Sequence, residues 1–245
     1  MSVPKECNEQ FIRTEMVIGK DAQDILKNKK VYLFGVGGVG SYCAEALVRA
    51  GVGNVVFVDN DTVSVSNINR QLIALHSTVG MYKACLCADR ARDINPHGSF
   101  EARCTFYDEK TAEEFDFSDG DFIIDAIDSV PSKILLIKKA KEAGVPVICS
   151  MGTGNKLDPS KFVISDIEKT SVCPLARSMR QRLKKEGIKD VTVLYSTELP
   201  RELTLDARAL GDESGKRTVG SVSFVPSVAG LMIAGHVIRK LCGIE

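Results

Sequence analysis

Four glycines, an acidic pair and an Arg and a Lys placed just beyond strand ends are the residues of this chain whose types and spacing can do chemistry. Gly35, Gly37, Gly38 and Gly40 follow directly on the apolar run 31–34 and precede a helical pattern that opens at Ser41. Strand, glycine turn and helix in that order make an anion cradle. Bare backbone can approach a phosphate, and the free N–H groups at the new helix terminus attract negative charge. The ligand expected first is therefore a nucleotide. The spacing of Gly35, Gly37 and Gly40 also fits a dinucleotide fingerprint, and Asp59 follows at roughly the 20-residue distance where such folds keep a ribose-binding acid. What comes next argues against a dehydrogenase: Asp61, then Ser66-Asn67-Ile68-Asn69-Arg70-Gln71, then Lys83. A nicotinamide has no need of a guanidinium and an ammonium, whereas a triphosphate does, because Arg offers forked donors and Lys a compact charge.

The elements that must position these groups read as alternating strands and helices. A short helix ending at Gly19 and a second over 21–28 come before the strand 31–34. A helix over 41–50 and a strand over 55–58 then bring Asp59 to a carboxyl end. A helix over 79–94 carries Lys83 and stops at Asn95-Pro96. A strand over 100–106, a short acidic helix over 109–115 and a strand running from 121 towards Asp128 follow. The next helix spans 130–143, and a strand at 145–150 closes a fourth unit. Such alternation predicts an α/β fold with a mostly parallel, Rossmann-like sheet and helices on both faces. Residues 9–245 read as one domain behind a loose N-terminus at 1–8. Residues 155–245 form a smaller C-terminal appendage: strands over 162–167 and 191–196, a basic helix through 186, a long loop over 199–216, and a closing strand at 219–226 with an apolar helix at 227–241.

At 245 residues with 44% hydrophobic and 26% charged content, the chain can bury a sizeable core, and its formal net charge is zero. Any nucleic-acid surface must then be local. The stretch 169–185 supplies one, with Lys169, Arg177, Arg180, Arg182, Lys184 and Lys185 and no Asp or Glu. On a helix, Arg177, Arg180 and Lys184 share a face beside Leu175, Met179 and Leu183. The eight cysteines are scattered, without Cys-x-x-Cys spacing, and read as reduced cytoplasmic thiols with no zinc site. Cys85 and Cys87 read as core packing. The C-terminal apolar stretch is broken by Pro226 and glycines, so membrane insertion is not expected.

The combination Gly-x-Gly-Gly-Val-Gly at 35–40, Asp-x-Asp at 59–61, Ser-Asn-x-x-Arg-Gln at 66–71 and Lys83 resembles the ThiF/MoeB/HesA family of adenylating enzymes, within the superfamily of the ubiquitin-activating enzymes. The resemblance implies that Gly35, Gly37, Gly38, Gly40, Asp59, Asp61, Asn67, Arg70, Gln71 and Lys83 hold ATP. It also implies that Arg70, Lys83 and Asp128 act in catalysis, with Asp128 helping to hold Mg²⁺ on the triphosphate; a helix N-cap is the other role open to Asp128. A homodimer is implied as well, in which Arg13 reaches the neighbouring protomer's site.

The segments Ile164-Ser165-Asp166-Ile167-x-Lys169-Thr170, Cys173-Pro174-Leu175-Ala176-Arg177, Tyr195-Ser196-x-Glu198 and Gly220-Ser221-x-x-Phe224-Val225-Pro226 are similar to the branch of that family that dehydrates threonylcarbamoyladenosine beside the tRNA anticodon. This implies tRNA as substrate, held by Lys169, Arg177, Arg180 and Lys184, and leaves room for a sulfur-transfer or accessory protein partner. Adenylation of the C-terminus of a ubiquitin-like sulfur carrier is the alternative. Cys173 lies where relatives keep a reactive thiol. Ring closure within the substrate needs no enzyme nucleophile, and a non-catalytic Cys173 is favoured.

Overall fold

A computed structural model describes residues 9–204 and 219–244 of the chain. Its seven strands are β1 (Lys30–Phe34), β2 (Asn54–Val58), β3 (Ser99–Arg103), β4 (Phe122–Asp125), β5 (Val147–Ser150), β6 (Phe162–Asp166) and β7 (Thr192–Ser196). They form one sheet in the order β3-β2-β1-β4-β5-β7-β6. All neighbours are parallel except β6 and β7. The helices are α1 (Ile12–Ile18), α2 (Lys20–Asn28), α3 (Gly40–Ala50), α4 (Lys83–Ile94), α5 (Val130–Glu142), α6 (Pro174–Lys185) and α7 (Phe224–Cys242).

The two-residue period of β1 explains the layering. Val31 and Leu33 point into a core shared with α3, α4 and α7, whereas Tyr32 and Phe34 point into one shared with α5 and α6. The central strands β1, β2, β4 and β5 are thus buried on both faces, as their near-continuous apolar runs require, whereas the edge strand β3 exposes Ser99, Glu101 and Arg103.

Helix α7 is long and apolar enough to cross a membrane. It packs instead on α3, with Val225, Ala229, Ile233, Ala234 and Val237 buried in the same core as the first strands. The C-terminal part is therefore no separate body: β6 and β7 extend the sheet, and α7 covers its first half.

Several elements differ from the sequence reading. The expected strand at 219–226 is not formed. Gly220 exchanges backbone hydrogen bonds with the side chain and main chain of Asn155 (2.7 and 2.8 Å), and Ser221 O accepts from Asn69 Nδ2 (3.0 Å), so these groups never enter a ladder. Phe224 to Pro226 are already the first turn of α7, where a proline costs no hydrogen bond. Helix α4 begins only at Lys83, after a separate 3₁₀ turn at His76–Thr78. The expected acidic helix is one 3₁₀ turn, Ala112–Glu114. The expected loose segment 1–8 and most of the expected loop 199–216 lie outside the described residues.

Candidate nucleotide-binding active site

Strand order reverses between β1 and β4, and the crevice beyond their carboxyl ends is where open α/β sheets bind ligands. The glycine turn fills that crevice. Gly35, at φ +84°, donates its N–H to Val58 O (2.8 Å), and a Cβ there would stand 2.6 Å from Ala126 O. A Cβ on Gly40 would stand 1.8 Å from Gly35 O. Both glycines are thus required by the fold itself, because the loop is wedged between the ends of β2 and β4. Pro226, in the first turn of α7, and the Arg70 side chain both lie beside Gly38.

Asp59 ends β2 and is half-buried. Its Oδ2 accepts the Val36 N–H (2.8 Å) and its Oδ1 the Asp61 N–H (2.8 Å), which fixes the carboxylate against the glycine turn and leaves lone pairs on both oxygens. Burial pushes its carboxyl above the usual range, opposed by those two N–H bonds and by Lys83.

Lys83 is the first residue of α4 and is buried. Its Nζ lies 2.8 Å from Asp61 Oδ2, and its N–H donates to Asp61 O at 3.0 Å. Asp61 and Lys83 therefore form a single unit, joined by side chain and main chain, on the same side as Asp59.

Between them, the 3₁₀ turn Val65–Asn67 places the Ser-Asn-x-x-Arg-Gln residues. Asn67 is buried and accepts the Ser64 N–H through Oδ1 (3.1 Å), closing a capping box. Arg70 Nη1 donates to Ser66 O and to Asn69 Oδ1, each at 2.8 Å, so the guanidinium is oriented by one edge. Gln71 is buried beside Gly37, and its Oε1 has no partner among the described residues.

The strand β4 ends in Asp125, with Asp128 in the loop that follows. Asp128 is exposed, and its carboxylate has no partner among the described residues. The N-cap of α5 is Ser129, so Asp128 does not have the capping role left open by the sequence. Asp125 is fully buried, 3.0 Å from the fully buried Lys133, whose Nζ also donates to Ser150 O (2.9 Å). Asp125 Oδ1 also accepts the Ile127 N–H (3.1 Å), which shapes the loop leading to Asp128. Reading the sequence missed this pair. Its signal was Lys133 itself, which shares a helix face with Leu136, Ile137 and Ala140 at spacings of three, four and seven.

Two groups of predicted residues stand apart from the crevice. Arg13 is exposed on α1 together with the apolar Ile12, Met16 and Val17. On α6, Ala176, Met179 and Leu183 are the buried face, Leu175 is only partly covered, and Arg177 and Lys184 are exposed; Lys169, in the 3₁₀ turn before the helix, is exposed as well. Arg180 departs from the expectation of a free basic strip: its Nη1 donates to Thr170 O (2.9 Å) and to the Thr170 hydroxyl, tying α6 to the preceding turn. Val172 adopts φ +48°, a strained conformation for a β-branched residue, beside a groove of about 380 Å³ lined by Cys173, Pro174, Arg177, Arg180 and Gln181. The Cys173 thiol is buried at the N-cap of α6.

The ThiF family model matches residues 11–245. The tRNA threonylcarbamoyladenosine dehydratase of Bacillus subtilis is 46% identical over 95% of this chain and 94% of its own length. The crystal structure of the Escherichia coli tRNA N6-threonylcarbamoyladenosine dehydratase in complex with ATP superposes with a TM-score of 0.87 at 29% identity, covering 99% of this chain and 98% of that one. The complex of the same enzyme with AMP gives 0.88 at 30% identity, with the same coverage. By this match, and by the crevice built from its glycine turn, Asp59, Arg70 and Lys83, the chain belongs to the ThiF family.

Proposed function

We propose that the protein is an ATP-dependent dehydratase that cyclises the threonylcarbamoyl group of threonylcarbamoyladenosine beside the anticodon of tRNA. One coincidence carries the reading. A crevice furnished for a nucleoside polyphosphate occurs in a chain that matches a dehydratase of that substrate across nearly the full length of both. A carboxylate is a poor electrophile and oxide a poor leaving group, so the reaction needs activation. A carboxylate oxygen of the threonylcarbamoyl group attacks a phosphorus of ATP, a phosphoanhydride bond breaks with departure of pyrophosphate (attack at the α-phosphorus) or ADP (attack at the γ-phosphorus), and a mixed anhydride forms. A carbamoyl nitrogen of the same group then attacks the activated carbonyl, and that oxygen leaves with the phosphate. The nitrogen loses its proton, and the net change is loss of water. The nucleophile belongs to the substrate, so proximity does the work of a catalytic side chain.

In this reading Asp59 receives the ribose hydroxyls, the glycine turn receives phosphate on its N–H groups, and Arg70 and Lys83 neutralise charge developing on the phosphates. Asp128 suits Mg²⁺, because it is an exposed hard-oxygen ligand without a protein partner and one carboxylate plus phosphates is a common set for that ion. When bound, Mg²⁺ would screen the triphosphate charge. The deciding experiment is mass spectrometry of nucleosides from threonylcarbamoyladenosine-containing tRNA after incubation with protein, ATP and Mg²⁺. A product lighter by one water is expected only with ATP present, and an unchanged nucleoside overturns the proposal.

A second copy completes the site in this reading, with Arg13 reaching the partner's nucleotide across an interface lined by Ile12, Met16 and Val17, whose exposure supports such a contact. Mixing Arg13→Ala protein with Lys83→Ala protein is then expected to restore part of the activity through hybrid dimers. No rescue between two folded, dimeric variants would remove Arg13 from the partner's site.

The tRNA backbone is expected on the exposed cations. Replacing Lys169, Arg177 and Lys184 with Gln weakens tRNA binding and lowers the slope of log affinity against log salt by up to about one per lost phosphate contact, with ATP affinity unchanged. An unchanged slope would make this strip a solvated face. Arg180 is left in place in this variant, because its bonds to Thr170 hold α6.

A further inference from the structure

Cys85 and Cys104 meet at the surface with their sulfurs 3.4 Å apart, and both are exposed. The sequence pattern put Cys85 in the core with Cys87, but only Cys87 is buried, because residues two apart on a helix diverge. Cys85 lies in the first turn of α4, two residues beyond Lys83. Cys104 follows directly on β3, whose last residue, Arg103, accepts the Asp59 N–H through its carbonyl (3.1 Å). The pair thus flanks the nucleotide crevice without belonging to the residues assigned to ATP.

We propose that Cys85 and Cys104 are a modification site, a thiol pair that closes to a reversible disulfide by exchange with a small soluble disulfide. A disulfide bond of about 2.05 Å needs the sulfurs to approach by only about 1.4 Å, within the reach of side-chain torsions at two exposed residues. Among the described residues the other thiols are poor competitors: Cys242 is only partly exposed, donates to Ala22 O (3.6 Å) and is pushed up by burial. Cys43, Cys87 and Cys149 are buried, and burial pushes each of them up; Cys173 is buried as well.

Partial burial and the neighbouring Cys85 push the Cys104 thiol up to about 11. In one order of attack Cys85 leads. The Cys85 thiolate attacks one sulfur of the small disulfide, forming a mixed disulfide and releasing one small thiolate. Cys104 then loses its proton and attacks the Cys85 sulfur, releasing the second thiolate. Two protein thiols are oxidised, one small disulfide is reduced to two thiols, and the two protons pass to the departing thiolates. The new bond ties the first turn of α4, with Lys83, to the end of β3.

The test uses the full chain with oxidised glutathione, followed by blocking of free thiols and non-reducing peptide mass mapping. The expected product is a Cys85–Cys104 linked peptide lighter by two hydrogen atoms than the two reduced peptides, restored by dithiothreitol. In Cys104→Ser, Cys85 is expected to stop at the glutathione mixed disulfide. Linkage through any other cysteine, or wild-type protein that carries only glutathione adducts or none, overturns the proposal.

Discussion

Replacing Lys83 with Ala is expected to lower ATP-dependent turnover by roughly two to three orders of magnitude while leaving the protein folded. Loss of one donor aimed at a developing charge commonly costs about 2.7–4 kcal/mol of activation free energy. The fold should tolerate the change, because the partner left behind, Asp61, is exposed and can be solvated, in contrast to a carboxylate stranded in a core. Lys83 is held with little freedom: α4 begins at its own residue, and Asp61 fixes both its backbone and its ammonium. Single-turnover dehydration beside a thermal melt separates the two effects. Full turnover in a folded Lys83→Ala protein would remove Lys83 from the phosphate site.

Lys133→Met is expected to act in the opposite way, on stability before chemistry. It removes the cation from a pair in which both side chains are fully buried, and an uncompensated buried carboxylate costs about 3–5 kcal/mol. Lys133→Met combined with Asp125→Asn should recover much of that loss, since no charge then remains and the Asn oxygen can still accept the Ile127 N–H. Urea denaturation of the two variants and the parent measures both terms. A Lys133→Met protein within about 0.5 kcal/mol of the parent, the size of an ordinary surface change, would show that Asp125 is not held as an anion by Lys133. The pair also matters to the site, because Asp125 shapes the loop on which Asp128 stands.

The sequence by itself determined the layered α/β sheet and the crevice. The central strands are short apolar runs, the glycine turn follows the first of them, and Asp59 stands just beyond the end of the second. Each of these signals is local, and each is confirmed in place. Even the obligatory glycines were legible as glycines, although only the structure separates Gly35 and Gly40, which the packing of loop on loop demands, from Gly37, where a methyl would make ordinary contact with the Gln71 amide.

What tertiary structure alone decided depends on partners distant in sequence. The segment at 219–223 has strand-like composition, yet its polar groups are taken by Asn69 and Asn155, so no ladder forms. Arg180 belongs by helical spacing to a cationic strip, but Thr170 lies within reach of its guanidinium. Lys133 lies on the apolar face of its helix, but its partner Asp125 is supplied only when β4 packs against it, and Cys85 reads as core until β3 delivers Cys104 beside it. Periodicity tells which face of an element is apolar. It does not tell which polar side chain from elsewhere will arrive there, because that meeting is fixed by how the sheet orders its strands.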